Sequence, residues 1–252
     1  MTKKIKDYYG LACAKLIAEK LAALTPDFSS EEFLAELRRT LRGKSYSERL
    51  DAYATAFHHH LPGTYDEHLQ LFTSLLGPKL AESNGMFLYG WWLAPLGRYV
   101  EQHGTDHWSI SSQFIYELTQ RYTGEFAIRP LLASEPQKTM RLMLRWSQDD
   151  SVHVRRLASE GLRPKLPWAK KLLVALRYPE LYQNILSNLR HDGDRFVQKS
   201  VGNNLNDLMK EDPAFAQAII AAWKKEGLSS ATEWIIRHGL RNQKTTATKT
   251  SN

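Results

Sequence analysis

The pattern of apolar and polar positions along the chain is helical, and the alternation typical of strands is scarce. From Tyr9 to Leu24, apolar residues recur every three or four positions, and Thr25 and Pro26 close the stripe. The same signals predict further helices that start after a cap at Ser29 or Ser30, near Ser47, at Asp66 (ending at Leu76), and after a cap at Ser109. We therefore predict an all-α protein.

Internal repetition indicates how these helices are arranged. The segment WSQDDSVHVRRLAS, from Trp146, is echoed by LRHDGDRFVQKSVG, from Leu189, with a period of 43 residues. TEWIIRHGLR, from Thr232, is a weaker third echo. This period is typical of HEAT-type repeats, in which helix pairs stack into a solenoid. We predict one domain over residues 1–241, an α-α superhelix with a concave basic groove, followed by a disordered tail over 242–252.

The two good copies each show one buried helix face. In the first copy, Val154, Leu157, Ala158 and Gly161 share a face, and the small residues permit close helix packing. The matching stripe of the second copy consists of Val197, Val201, Leu205 and Leu208. Asp207 lies on a line beside that stripe. It is either a carboxylate that looks into the groove or an ordinary surface residue of the helix.

Residues 149–168 combine a helix, a basic cluster and, after the helix, a proline-stiffened loop that ends in a tryptophan. Arg155 and Arg156 lie off the apolar face, and Glu160 follows Arg156 by four residues, close enough to pair with it. Pro164 and Pro167 stiffen the approach to Trp168. Such an arrangement suits a phosphate backbone with sugars or bases beside it. The alternative is that Trp168 is a packing anchor.

Charge favours an acidic polymer as partner. The formal net charge is +7 with an isoelectric point of about 9.4. The segment from Arg141 to Lys199 contains twelve Lys and Arg residues but six Asp and Glu, so most of the excess positive charge lies there. This focus favours DNA or RNA over a surface that is basic merely for solubility. The single Cys13, the lack of a long apolar run and an amphipathic first helix predict a cytoplasmic protein.

Two further patterns are weaker. The triplet at 58–60 consists of histidines, which are good zinc ligands, but three successive helical residues point in directions about 100° apart and cannot converge on one ion. Gly104 between His103 and His107 favours a loop there. The adjacent Trp91 and Trp92 cannot face the same core, so one of them is either a partly exposed stacking surface or is buried between helices.

Several motifs together resemble the AlkC branch of the AlkC/AlkD superfamily of HEAT-like-repeat DNA glycosylases. They are TGEFAIRP (123–130), WSQDDSVHVRRLASEGLRPKLPW (146–168), VQKSVGNNLND (197–207) and ATEWIIRHGLR (231–241), in that order, and GWWLAPLGRYVEQHG (90–104) is similar to the family's aromatic segment. The likeness covers residues 1–241 and is to the shorter form without a C-terminal immunoglobulin-like domain. Gln198 and Lys199 stand where many relatives would have arginine.

The resemblance implies an enzyme that excises 3-methyladenine and 3-methylcytosine from duplex DNA, as a monomer and without a cofactor or metal. It implies Glu125 and Asp207 as the catalytic pair. Without the resemblance, Glu125 is adequately explained as a carboxylate that caps a helix turn and pairs with Arg129 four residues later. The resemblance makes Arg156 and Trp168 DNA contacts around the lesion. Further phosphate contacts are expected at Arg155, Arg163, Lys165 and Lys199.

Two other functions fit the sequence. One is a non-catalytic relative that binds bent, branched or damaged DNA with the same groove; the presence of both carboxylates argues against it. The other is a helical-repeat scaffold that binds protein, which an even charge distribution would have favoured. Base release from alkylated duplex DNA separates these alternatives from a glycosylase.

Overall fold

The computed structural model describes residues 4–243, and the regular elements in that range are all helical. The all-α prediction is confirmed for these residues. The α-helices are α1 Leu11–Ala22, α2 Ser30–Thr40, α3 Tyr46–His60, α4 Tyr65–Leu75, α5 Met86–Gly90, α6 Ala94–His103, α7 Trp108–Thr119, α8 Ile128–Ser134, α9 Pro136–Trp146, α10 Val152–Glu160, α11 Pro179–Leu189, α12 Arg195–Glu211, α13 Pro213–Glu226 and α14 Ser230–Gly239. Short 3-10 helices cover Ile5–Tyr8, Trp91–Leu93, Thr105–His107 and Val174–Arg177.

The chain divides into two compact units, residues 1–131 and 132–252. Each is described by itself below. That residues 1–241 form one domain stays a prediction. The tail predicted to be disordered, 242–252, lies outside the described residues from 244 onward. No helix within residues 4–243 combines the length and the apolar character needed to cross a membrane.

Helix starts in the first unit follow local side-chain chemistry. Ser29 accepts a hydrogen bond from the backbone N–H of Glu32 at the start of α2, as the sequence predicts. At the start of α3, Ser45 and Glu48 form a capping box, two residues before the predicted position. Of the predicted stripe, Cys13, Ile17 and Leu21 are buried in α1, whereas Leu16 is half-buried and Ala12 is exposed. Leu24 is exposed because the helix ends at Ala22.

The predicted cap at Ser109 is wrong. Helix α7 begins one residue earlier, at Trp108, and His107 occupies the capping position without a side-chain hydrogen bond. The reason is the 3-10 turn Thr105–His107, which already has helix-like geometry and leads directly into α7. Ser109 therefore lies inside the helix, and its carbonyl accepts a hydrogen bond from the Ser112 hydroxyl.

The second unit is built from helix pairs in two layers. Helices α9, α11 and α13 contact one another in sequence and form one layer, which we call the outer layer. Helices α10, α12 and α14 contact one another in the same way and form the other, which we call the inner layer. Each predicted apolar stripe is buried at the junction: Val154, Leu157, Ala158, Val197, Val201, Leu205 and Leu208 are all inaccessible to solvent. The repeat predicted from the period of 43 is thus confirmed within this unit.

Candidate DNA interface and carboxylate sites

Arg155 braces two successive repeats of the second unit. Its Nε donates to Oδ2 of Asp192 at 2.6 Å, and its Nη1 donates to the carbonyl oxygens of Asp149 and Asp150, each at 2.9 Å. The Asp192 side chain is itself buried. Because the guanidinium joins the loop before α10 to the loop before α12, this geometry does not support the phosphate contact expected of Arg155.

Glu160 is a buried carboxylate at the end of α10, and only 5% of it is exposed. Its Oε1 accepts from Arg163 at 2.8 Å and lies 3.4 Å from Nη2 of Arg156. Its Oε2 accepts from the Ser200 hydroxyl at 2.7 Å. Burial raises the pKa of Glu160, but the charges of Arg156 and Arg163 and the Ser200 hydrogen bond outweigh burial and hold that pKa below its ordinary value. Glu160 therefore stays ionised and fixes both arginines.

Asp207 lies near the C-terminal end of α12, and its carboxylate is held by Arg163. Arg163 Nε donates to Oδ2 of Asp207 at 3.0 Å, while Nη1 of the same guanidinium contacts Glu160. Arg163 is 8% exposed. Burial lowers the pKa of Arg163, but Glu160 and Asp207 raise it above its ordinary value, so the group is always charged. Arg163 is buried between two carboxylates, and this geometry does not support the phosphate contact expected of it.

Arg156 is held in place from two sides. Besides its contact with Glu160, its guanidinium carbon lies 4.9 Å from the centroid of the Phe196 ring, a cation–π arrangement. The predicted pairing of Arg156 with Glu160 is confirmed. An arginine that is fixed in this way loses little conformational entropy when it contacts a ligand.

Trp168 protrudes from the loop after α10. It is 74% exposed, and its backbone adopts a left-handed conformation with φ of 64°. A residue with a side chain is strained in this region, and the strain costs about 1–2 kcal/mol. The alternative that Trp168 is a core anchor is therefore wrong. Lys165 and Lys199 are exposed as well, so both are accessible to phosphates.

Glu125 belongs to the first unit and lies in the turn before α8. Its Oε2 accepts a hydrogen bond from the Thr123 hydroxyl at 2.6 Å. Two half-buried tyrosines, Tyr46 and Tyr122, lie close enough for the Glu125 charge to act on them, and Tyr122 also hydrogen-bonds to Tyr9 and Tyr46. Burial, with a smaller contribution from Glu125, raises the pKa values of Tyr46 and Tyr122. Glu125 thus borders a neutral phenol network.

The aromatic segment of the first unit resolves the question of the paired tryptophans. Trp91 packs edge-on against Tyr8 and Tyr9, and Lys20 lies 5.0 Å over the ring of Trp92. Both tryptophans are half-buried. The more exposed side chains precede them, at Leu88 and Tyr89, which the sequence reasoning did not single out. The sequence feature that could have revealed them is the segment MFLYG, which forms the short helix α5 and has apolar residues on every side.

The histidines of α3 contact neighbouring side chains. His59 and His60 both reach the Glu36 carboxylate on α2, at 3.1 and 2.8 Å, while His58 stacks on His103. Two successive imidazoles share one carboxylate because Glu36 lies between them, while the third points to His103, so the three histidines do not converge on one point. His103 closes α6 and is not in a loop. Within the described part of the chain, no cluster of three or more His, Cys, Asp or Glu side chains is placed to hold a metal ion.

Comparison with known proteins agrees with these features. Residues 123–242 match the model of a family described as DNA alkylation repair enzymes. The chain is 33% identical over 238 residues to the uncharacterised protein YhaZ of Bacillus subtilis (strain 168), covering 94% of this chain and 64% of that protein.

A solved structure is similar over nearly the whole chain. It is the Pseudomonas fluorescens alkylpurine DNA glycosylase AlkC bound to DNA that contains an abasic site analogue. The TM-score is 0.83 at 34% sequence identity, with 96% of this chain and 65% of that chain covered. The chain thus spans about two thirds of the length of both relatives. The HEAT-like helical-repeat fold is confirmed, and residues 123–242 match the DNA alkylation repair enzyme family.

Proposed function

We propose that this protein is a DNA glycosylase that hydrolyses the N-glycosidic bond of bases alkylated at N3, 3-methyladenine and 3-methylcytosine, in duplex DNA. The observation that carries the proposal is the arrangement of Arg163, which orients Asp207 with one edge of its guanidinium and is fixed by Glu160 with another. An oriented, nearly buried carboxylate is suited to stabilise a cation. The likeness to a DNA-bound AlkC supports the same chemistry.

The reaction needs charge stabilisation more than it needs an acid. A base methylated at N3 is cationic and leaves as a neutral molecule when its bond to the sugar C1′ breaks. The bonding electrons go to the base, and positive charge develops on the sugar ring. A water molecule then forms the new bond to C1′ and releases a proton, which leaves an abasic site. Carboxylates serve both steps, as they do in glycoside hydrolases, by stabilising the oxocarbenium-like sugar and orienting water.

Within this proposal Asp207 and Glu125 are the catalytic carboxylates. Asp207 is oriented by Arg163, and Glu125 by the Thr123 hydroxyl. Arg156 and the exposed Trp168 contact DNA around the lesion, and Lys165 and Lys199 contact phosphates. The geometry of Arg155 and Arg163 supports positioning roles for both. We expect the protein to act as a cytoplasmic monomer without cofactor or metal.

Incubation of the purified protein with N-methylated duplex DNA, followed by chromatography of the released bases, tests the proposal. Release of 3-methyladenine and 3-methylcytosine above the spontaneous rate is expected. Tight binding to the same duplex without release would instead identify a non-catalytic protein that binds damaged or bent DNA. Release of 3-methyladenine alone would restrict the substrate to alkylpurines.

A further inference from the structure

Asn204 is a fully buried amide at the place where helices α10, α11 and α12 meet. Its Nδ2 donates to the carbonyl oxygen of Ser159 on α10, at 2.9 Å, and to that of Ser200 on α12, at 3.0 Å. Its Oδ1 accepts from the hydroxyl of Tyr182 on α11, at 2.6 Å. The amide therefore ties two helices of the inner layer to one helix of the outer layer.

Two buried hydroxyls, those of Ser159 and Ser200, lie 2.7 Å apart beside this amide. The Ser200 hydroxyl also lies 2.7 Å from Oε2 of Glu160. Because an ionised carboxylate only accepts, Ser200 donates to Glu160, and the Ser200 oxygen is left to accept from Ser159. The other acceptor near the Ser159 hydroxyl, the carbonyl oxygen of Arg156, is farther away, at 3.1 Å. Hydrogen bonds that point the same way polarise one another, so Ser159 strengthens the bond from Ser200 to the carboxylate.

This chain of hydrogen bonds ends at the Asp207 carboxylate. Oε1 of Glu160 accepts from Nη1 of Arg163 at 2.8 Å, and Nε of the same guanidinium donates to Oδ2 of Asp207 at 3.0 Å. Since the guanidinium is planar and rigid, a shift of Glu160 turns Arg163 and moves the donor that faces Asp207. The direction of the Asp207 carboxylate thus depends on the hydrogen bond that Ser200 makes on the far side of Glu160.

Packing alone does not require polar side chains at these positions. On the same helix, Val201 and Leu205 fill the core with apolar groups, and apolar groups of the same shape in place of a hydrogen-bonded pair are nearly neutral for stability. A fully hydrogen-bonded polar network instead fixes the directions of the groups that it contains. Such surrounding bonds hold functional side chains in place, and a displacement on the order of 1 Å lowers a reaction rate by about 10²-fold.

We propose that Ser159, Ser200 and Asn204, which we call the serine–asparagine network, are positioning residues for base excision. The network sets the direction of the Asp207 carboxylate through the buried glutamate–arginine pair, and its members contact neither DNA nor the reacting atoms. The inference rests on the proposed function in that Asp207 is taken as a carboxylate that faces the sugar. Loss of a network hydroxyl should therefore slow the chemical step and leave DNA affinity unchanged.

Ser200→Ala and Ser159→Ala each remove one buried hydroxyl from the full chain without removing a carbon atom. Single-turnover release of 3-methyladenine at saturating protein measures the chemical step, and fluorescence anisotropy on the same duplex measures affinity. The rate should fall about tenfold for Ser200→Ala and about threefold for Ser159→Ala, at unchanged Kd.

Ser147→Ala is the matched control. The Ser147 hydroxyl is also buried, at the end of α9 in the outer layer, where it donates to the carbonyl oxygen of Leu144 and accepts from Asn188. Its loss should lower the melting temperature about as much as the loss of a network hydroxyl does, because each variant removes hydrogen bonds from a buried place. The rate of base release should stay at that of the unsubstituted protein.

A second readout does not depend on base release. The Nε proton of Arg163 is buried and held by Asp207, so it should exchange slowly with water and give its own NMR signal in isotope-labelled protein. The loss of that signal in Arg163→Lys identifies it. Ser200→Ala should accelerate the exchange about tenfold or more, because the guanidinium loses its fixed partner on the side of Glu160. Ser147→Ala should leave the exchange unchanged.

The two readouts separate this inference from the proposed function. If the protein releases base and Ser200→Ala equals Ser147→Ala in rate or in exchange, the network is overturned and the glycosylase stands. If the protein binds the duplex without releasing base while Ser200→Ala alone accelerates the exchange, the network still orients Arg163 and the glycosylase fails. Weaker DNA binding by the serine variants at an unchanged rate would contradict a positioning role.

Discussion

Arg163 and Asp207 are 44 residues apart in sequence, yet Nε of the one donates to Oδ2 of the other at 3.0 Å. The planar guanidinium contacts Asp207 and Glu160 with different nitrogens at the same time. A lysine ammonium is a single point of charge and cannot reproduce both contacts with that geometry. Two roles are therefore open to Arg163: it either orients the Asp207 carboxylate or contacts a DNA phosphate. A lysine substitution distinguishes them.

Arg163→Lys should reduce single-turnover excision about tenfold, equivalent to ~1.4 kcal/mol of transition-state stabilisation, because Asp207 loses its orienting partner. DNA affinity and its salt slope should stay unchanged, since the guanidinium is buried. Lys165→Gln is the matched comparison two residues away: it should weaken binding and leave the rate at saturation unaltered. A fall in salt slope for Arg163→Lys would restore the phosphate-contact role.

Glu160→Gln should destabilise the fold by about 1.5–3 kcal/mol, because two arginines lose their charged hydrogen-bond acceptor in a buried place. Urea unfolding at neutral pH measures this. Glu180→Gln, an exposed change on α11, should be neutral within about 0.5 kcal/mol. Equal stabilities of the two variants would show that Glu160 contributes no net stability.

The pH dependence of the Glu160 contribution follows from the direction of its shift. The pKa of this carboxyl is lower in the folded than in the unfolded chain, where it is about 4.3. Its stabilisation is therefore fully present above that unfolded value and is lost as the pH falls through the folded value. The difference in free energy of unfolding between the unsubstituted protein and Glu160→Gln should be constant from pH 7 to about 5 and shrink below about 4.3. A difference that stays the same at pH 3.5 would contradict this assignment.

Trp168→Ala should reduce excision by about tenfold or more with little change in stability, because the ring is exposed and its loss removes a stacking contact that is worth about 1–3 kcal/mol per base in other proteins. Trp168→Gly should lose the same activity yet be more stable than Trp168→Ala by about 1 kcal/mol, since glycine relieves the left-handed backbone. Trp223→Ala, which removes a fully buried ring, shows by contrast what a core tryptophan contributes. Full activity of Trp168→Ala would exclude a role at the lesion.

Local periodicity predicted the layers of the second unit because the apolar stripes of α10 and α12 depend only on residues three and four apart. The pairing of Arg156 with Glu160 could be predicted for the same reason, because the two residues are four apart on one helix. The contact between Arg163 and Asp207 was not, because it joins side chains from different repeats and depends on how α10 and α12 pack. Arg155 and Arg163 looked like free cations in the sequence for that reason.

Two further features of the structure could not be predicted from single-sequence patterns. The cap of α7 was misplaced because a 3-10 turn replaces the expected polar cap. The stacking of Arg195 on Trp234 joins α12 to α14, and the repeat echo at α14 is weak. Charge counting between Arg141 and Lys199 located the basic region but could not distinguish paired cations from those without carboxylate partners.

The catalytic assignment is tested by Asp207→Asn and Glu125→Gln, which keep size and much of the hydrogen bonding but remove the charge that should stabilise a cationic sugar. Each should lower single-turnover release of 3-methyladenine and 3-methylcytosine by about 10²-fold or more, a loss of ~2.7 kcal/mol. DNA affinity should be unchanged or slightly higher, because a negative charge near phosphates has been removed. Asp27→Asn, an exposed change in the first unit, serves as the control and should be fully active.

Folding and binding measurements on the same variants decide what a loss of activity means. Asp207→Asn leaves Arg163 with a neutral acceptor, so some loss of stability is expected from it, whereas the Glu125 hydrogen bond from Thr123 can be kept by an amide oxygen. Folded variants that bind the duplex but release no base would support both carboxylates as catalytic. Near-normal release from both variants would remove them from the chemistry, and release from one alone would leave a single catalytic carboxylate.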